Sequence, residues 1–150
     1  ALDILQLAKN KSVKIHLPVD VLCSTEFSND GVQNIFDIDK IPDKFEGMDA
    51  GPKSLEIFKE IILNSKTILW NGPVGVFEFS NYSNGTKSVG DAVARSTDNG
   101  AFSLVGGGDS VAAVKKFKLQ DRVSYVSTGG GAMLESLEGK KLPGISALEN

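Results

Sequence analysis

The run AFSLVGGGDSVAAV, Ala101 to Val114, decides the fold. Its opening five residues are apolar enough for a buried strand, and Gly106, Gly107 and Gly108 close it. Val111 and Val114 then mark a helix at the spacing of one turn. The same order recurs on either side. KTILW (Lys66 to Trp70) reads as a strand, NGPVG as its turn, and Val89, Ala92 and Val93 as the apolar stripe of the next helix. RVSYV (Arg122 to Val126) reads as a strand closed by Ser127, Thr128 and Gly129 to Gly131. Met133, Leu134 and Leu137 then form a helix that Gly139 ends. Further upstream, VKIHLPV (Val13 to Val19) reads as a strand behind an opening helix marked by Leu2, Leu5 and Ala8. Pro52 suits a first helical position, and Leu55, Phe58 and Ile62 continue that helix. Ser24 to Asp49, rich in Ser, Asn, Asp and Pro, reads as a long irregular excursion. Short apolar strands alternating with amphipathic helices predict an α/β fold whose parallel sheet is covered on both faces. Ligands bind such sheets beyond the carboxyl ends of the strands, and the three glycine-rich turns share that edge.

The turns carry distinct chemistry. In VGGGDS (Val105 to Ser110) the glycines permit close approach to the main chain, and consecutive N–H groups at a helix start form a seat for an anion. Asp109 beside a phosphate is repulsive unless it caps the helix or holds a divalent cation that bridges to the phosphate. Both readings stand at this point. Ser110 adds a hydroxyl suited to a phosphate oxygen. STGGGAM (Ser127 to Met133) repeats the design, and the pair describes a pocket for a phosphate or a phosphoryl group in transfer. WNGPVGVFE (Trp70 to Glu78) differs. Pro73, Val74, Val76 and Phe77 offer apolar surface to a nucleoside, and the Glu78 carboxylate can accept ribose hydroxyls. The structural alternative is that Val76 and Phe77 are core. No turn matches the Walker A loop or the G-x-G-x-x-G fingerprint. None contains Lys or Arg, although phosphoryl transfer depends on cations around the moving group.

Bulk properties narrow the partners. A net charge of −3 without a basic cluster argues against nucleic acid. The single cysteine, Cys23, excludes an intrachain disulfide and fits a reducing compartment. No apolar run reaches the length of a membrane span. The chain opens on ALDILQLAKNKSVKI, inside a helical pattern, and so reads as part of a longer polypeptide.

The runs LPVD, GMDAGPKS, WNGPVGVFE, GGGDS and STGGGAMLESLEGKKLPG, in this order, resemble the C-terminal domain of phosphoglycerate kinase across essentially residues 1–150. The resemblance implies a three-layer α/β/α, Rossmann-like fold and an incomplete C-terminal nucleotide-binding domain, with the N-terminal substrate domain absent. It implies a cytoplasmic, monomeric glycolytic kinase that reversibly moves phosphate from 1,3-bisphosphoglycerate to ADP, giving ATP and 3-phosphoglycerate, with Mg2+. Position by position, Gly47 and Met48 would line the adenine pocket. Asn71 and Gly72 would lie near the phosphates, Pro73, Val74 and Phe77 near base and sugar, and Glu78 on the ribose. Gly107, Gly108, Asp109 and Ser110 would hold phosphates and magnesium, with Asp109 the metal-linked group. Gly106 and Gly129 to Gly131, with Gly129 and Gly130 foremost, would offer N–H groups to the transferring phosphoryl.

Departures from the family pattern are Met48 for Leu, Ser110 for Thr, the Phe45–Glu46 pair, and the stretch 27–36. The resemblance also implies that the phosphoglycerate site, its arginine and the two phosphate-binding lysines lie outside these residues. The chain alone is therefore expected to be inactive. Two other readings share the turns: a nucleotide- or phosphate-binding module without chemistry, and a structural remnant that binds nothing. His16, Cys23, Asp20 and Trp70 are expected to be structural, and the Lys115–Lys116 and Lys140–Lys141 pairs to be solvated.

Overall fold

A computed structural model describes residues 1–148. It contains two small sheets. Strands β1 (Asp20–Ser24), β2 (Gln33–Asp37) and β3 (Glu46–Ala50) form an antiparallel sheet in the order β2-β1-β3. Strands β4 (Thr67–Asn71), β5 (Phe102–Gly106) and β6 (Tyr125–Val126) form a parallel sheet in the order β4-β5-β6. The helices are α1 (Leu2–Asn10), α2 (Pro52–Leu63), α3 (Asn84–Asp98), α4 (Gly108–Lys116), α5 (Gly130–Leu137) and α6 (Pro143–Ser146).

The parallel sheet is flanked by helices, as the alternation predicts. Ile68, Trp70, Ser103, Val105 and Val126 share one face by the period of two. On it, Trp70 and Val105 pack with Val89, Val93 and Ala94 of α3, Val114 of α4, and Leu119 in the main core. Gly106 belongs to the opposite face with Leu104 and Phe102, and a Cβ there would run into the Met133 side chain of α5. Helix α5 therefore covers the second face near the strand ends. Away from it Leu69, Phe102 and Tyr125 stay exposed. The parallel register pairs Asn71 with Gly106 and Val105 with Val126, so all three turns start level at one edge.

Three expectations are corrected. Val13 to Val19 is not a strand, and pairing begins at Asp20. The alternation of Val13, Ile15, Leu17 and Val19 is strand-like, but these side chains are exposed by 41% to 60%, and among the described residues no neighbouring strand supplies a ladder. Ser24 to Asp49 is not wholly irregular, because it contains β2 and β3. β2 has no buried residue and β3 buries only Met48 and the polar Asp49, so they lack the apolar alternation that reveals a strand. The strand read over Arg122 to Val126 is shorter than expected. A single-turn helix takes Gln120–Arg122, and below Tyr125 side chains continue the pairing. There the Ser103 amide donates to Ser124 Oγ and the Ser124 amide to Ser103 Oγ, both at 3.0 Å.

Asp20 shows how the antiparallel sheet is tied to the helical layer. It is buried, 1% exposed, beside the N-terminus of α2. Its carboxylate accepts the Ser54 amide at 2.8 Å, the Lys53 amide at 3.0 Å and the Ser54 hydroxyl at 2.6 Å. The local N-cap is Gly51, which has no side chain to do this, so a residue 31 positions earlier caps the helix. Burial pushes the Asp20 carboxyl up, but the Ser54 hydroxyl, the two amides and the Lys53 charge outweigh it and hold it below its ordinary value.

A depressed carboxyl pKa contributes stability above the unfolded pKa and loses it as pH falls through the folded one. Asp20→Ala is expected to lower unfolding stability by about 2 kcal/mol at neutral pH. The deficit should shrink as pH falls below about 4. Urea unfolding of both proteins at several pH values measures this, and a deficit unchanged down to pH 3 would contradict the capping role.

Candidate functional site

The site follows from the level strand ends. After β4 the chain turns at Gly72, whose φ of 107° is open to glycine at little cost. After β5 it turns at Gly107, with φ 86°, which is the N-cap residue of α4. Neither α4 nor α5 has a side chain bonded across its N-terminus. The first-turn N–H groups of both helices therefore point outward without intrahelical acceptors. The two N-termini are also in contact. A Cβ on Gly130 would lie 2.5 Å from the Gly107 nitrogen, and one on Gly107 would lie 2.5 Å from Asn71 Oδ1. These glycines let three backbones converge.

Gly107, Gly108 and Gly130 line a cleft of about 260 Å³ with Val111, Lys115, Ser127 and Thr128. Gly129 is exposed at the N-cap of α5, and Gly106 is buried at the end of β5. Asp109 is exposed in the first turn of α4. It is not the N-cap, and among the described residues no hydrogen bond or salt bridge engages its carboxylate. Ser110 is fully buried, and its Oγ accepts the Gly72 amide at 2.5 Å. That bond ties the β4 turn to α4 and leaves the Ser110 proton free to donate.

A second cleft of about 450 Å³ lies between the two sheets, lined by Gly47, Met48, Pro73 and Val74 among others. Gly75, Val76 and Phe58 are among the lining residues that stand outside the set that the resemblance assigned. The signal for Val76 was present in the apolar turn, whereas Phe58 could be read only as helix core. Phe77 does not line this cleft. It is buried, 5% exposed, with the ammonium of Lys116 over its ring. Glu78 is exposed immediately beyond it.

The cleft is shaped by Asp49, a buried carboxylate on β3. It accepts the Gly85 amide at the start of α3 at 2.7 Å and the Ala50 amide at 2.8 Å. Its oxygens occupy the space that side chains at Gly75 and Gly85 would fill. The Val76 amide adds a bond to the Met48 carbonyl at 2.9 Å. Burial pushes the Asp49 carboxyl above its ordinary value, against the two amide bonds that lower it.

Among the described residues no cluster of three or more His, Cys, Asp or Glu side chains forms a metal site. No described helix is long and apolar enough to cross a membrane.

Known proteins match this chain closely. The family model for phosphoglycerate kinase matches residues 1–140. A phosphoglycerate kinase of Porphyromonas gingivalis (strain ATCC BAA-308 / W83) is 58% identical over 149 residues, covering 99% of this chain and 36% of its own. The solved phosphoglycerate kinase from Coxiella burnetii superposes with a TM-score of 0.90 at 44% identity, over 97% of this chain and 37% of that one. That from Pyrococcus horikoshii OT3 superposes with a TM-score of 0.75 at 32% identity, over 99% of this chain and 36% of its own. The chain thus spans little more than a third of the length of these relatives.

Gly130→Ala tests the convergence of the turns, because it places a methyl against the backbone of Gly107. It is expected to weaken binding of inorganic phosphate or ADP by at least tenfold, while far-ultraviolet circular dichroism stays that of the unaltered chain. Gly131→Ala, at a position with open space, should bind as before. Equal effects of the two would show that the contact is irrelevant to binding.

Proposed function

The chain belongs to the phosphoglycerate kinase family, and from that premise we propose that it supplies the nucleotide side of a phosphoryl-transfer site. In this reading residues 1–150 are part of a C-terminal nucleotide-binding domain of a monomeric, cytoplasmic glycolytic enzyme. That enzyme reversibly transfers phosphate from 1,3-bisphosphoglycerate to ADP, giving ATP and 3-phosphoglycerate. Nucleotide and phosphoglycerate are its partners, and neither nucleic acid nor membrane is. The observation that carries the proposal is the level edge of the parallel sheet. There two uncapped helix N-termini meet beside a turn that also borders an apolar cleft.

The base and sugar of ADP or ATP would sit in the cleft lined by Gly47, Met48, Pro73, Val74 and Val76. The phosphates would lie along Asn71, Gly72 and the first turn of α4. There backbone N–H groups bind anions without the flexibility of a lysine. Gly106, Gly129 and Gly130 sit where charge on a transferring phosphoryl would develop, and fixed dipoles at such a point favour the transition state.

The unpartnered Asp109 carboxylate at the phosphate edge fits a magnesium ion held by one protein oxygen, phosphate oxygens and water. Magnesium would supply charge neutralisation of the phosphates. Asp109 would keep it on the α4 side of the site.

The three turns contain no Lys or Arg, and Lys115 is the lysine lining the phosphate cleft. Transfer needs more cationic charge around the phosphoryl than that. We therefore propose that residues 1–150 by themselves bind nucleotide but do not turn it over. Titration calorimetry with ADP and a coupled assay with ADP and 1,3-bisphosphoglycerate, run on one purified sample, test both halves. Binding without turnover is expected. Turnover by the purified chain would overturn the second half, and absence of binding would overturn the first.

A further inference from the structure

Helix α4 lines the glycine-rich cleft with its first turn and contacts the segment after the β4 turn with its last. At its last turn Lys116 reaches back to the segment that follows the apolar cleft. Its ammonium donates to the Phe77 carbonyl at 2.6 Å and to the Glu78 carbonyl at 3.3 Å. It also stands 5.7 Å from the centroid of the Phe77 ring. Among the described residues no carboxylate pairs with it, so the lysine is committed to backbone oxygens.

We infer that Lys116 is a positioning residue for the Glu78 carboxylate, holding it toward the ribose hydroxyls of the bound nucleotide. The inference rests on the nucleotide reading above. The carbonyls of Phe77 and Glu78 belong to the two peptide planes that flank the Glu78 Cα. Each plane is rigid, so fixing both fixes the direction in which the Glu78 side chain leaves the backbone. Glu78 is itself exposed and has no bonded partner for its carboxylate among the described residues. Without an anchor, an exposed glutamate would have to give up both backbone and side-chain freedom on meeting a ligand. Lys116 removes the backbone share of that cost in advance, which is how preorganisation raises affinity.

The lysine's charge strengthens its bonds to carbonyl oxygens relative to a neutral donor. The ring below limits its motion. Because Lys116 sits on the helix whose first turn faces the phosphates, the ribose group and the phosphate seat are held in one frame.

The test uses the unaltered chain and Lys116→Met, Lys116→Gln and Lys116→Arg, titrated with ADP and with 2′,3′-dideoxy-ADP. The unaltered chain should prefer ADP. Lys116→Met and Lys116→Gln should each weaken ADP about tenfold, the scale of a charged hydrogen bond. They should leave the dideoxy nucleotide unchanged, and Lys116→Arg should restore most of the preference. Glu78→Gln should abolish the preference in one step, with Lys116→Met adding nothing to it.

A merely structural lysine would weaken both nucleotides alike, and an irrelevant one would weaken neither. Either result overturns the inference and leaves the nucleotide reading standing. An unaltered chain that binds both nucleotides equally overturns it as well. Binding of neither nucleotide by the unaltered chain removes the nucleotide reading itself, and the inference with it.

Discussion

The Asp49 carboxylate ties the antiparallel sheet to helix α3, and the position of the apolar cleft depends on it. It lies on β3 but accepts its shortest hydrogen bond from Gly85 in the first turn of α3. A buried carboxylate without partners would cost far more than the fold could offset. Here two amides meet it, and two glycines leave room for it. The consequence is steric as much as electrostatic. Gly75 stands in the turn after β4 and Gly85 at the head of α3, so one side chain fixes both against β3. The Val76–Met48 backbone bond then closes the wall on which Gly47 and Met48 face Pro73 and Val74.

Asp20 and Asp49 apply one device twice. Each lies on a strand of the antiparallel sheet and caps a helix whose own N-terminal residue supplies no capping side chain. Their electrostatic balance differs. At Asp20 hydrogen bonds and the Lys53 charge win over burial, and the carboxyl is strengthened as an acid. At Asp49 burial wins, and the proton is held more tightly. The first contribution favours the folded state above the ordinary carboxyl pKa. The second disfavours it there, so part of the stability gained at α2 is offset at α3. The two helix starts at the glycine turns, those of α4 and α5, lack a cap of either kind, and there an anion can take the place of a carboxylate.

The fold was legible where chemistry and period coincide. Val111 and Val114, Val89 and Val93, and the glycine clusters after β5 and β6 announce the parallel unit because buried strands are apolar and their turns need glycine. The antiparallel sheet was not legible, since Gln33 to Asp37 and Glu46 to Ala50 are polar strands with weak strand preference. Val13 to Val19 has the pattern of a strand without a neighbour to pair with, and pattern alone cannot report a missing ladder. Of the candidate site residues, the glycines at 72, 107, 108 and 130 come together as their spacing implies. Phe77 was ambiguous because the same apolar turn serves both core and cleft. The roles of Asp49 and Lys116 were invisible, since each acts on backbone 36 to 39 residues away.

That distribution of roles bears on how the site can discriminate. Two clefts, one apolar between the sheets and one polar at the helix starts, are linked through the Gly72–Ser110 bond, Gly72 preceding Pro73 of the first and Ser110 lying in the helix that lines the second. The Gly72 to Ser110 bond fixes their separation, because Ser110 is buried in α4 and Gly72 opens the wall of the apolar cleft. A ligand able to fill both must carry an apolar planar end and an anionic end at a set distance. Neither inorganic phosphate nor a nucleoside alone satisfies that. The far end of α4 lies about 12 Å from its first turn at 1.5 Å per residue. It is held to Phe77 and Glu78 by Lys116. The first turn of α4 and the Phe77–Glu78 carbonyls are thus tied to one helix, while the apolar cleft is lined by β3 and the β4 turn. Relative movement of those two bodies is resisted by Asp49 and by the Gly72–Ser110 bond. The apolar cleft and the glycine-lined cleft are thereby held in a fixed relation to each other.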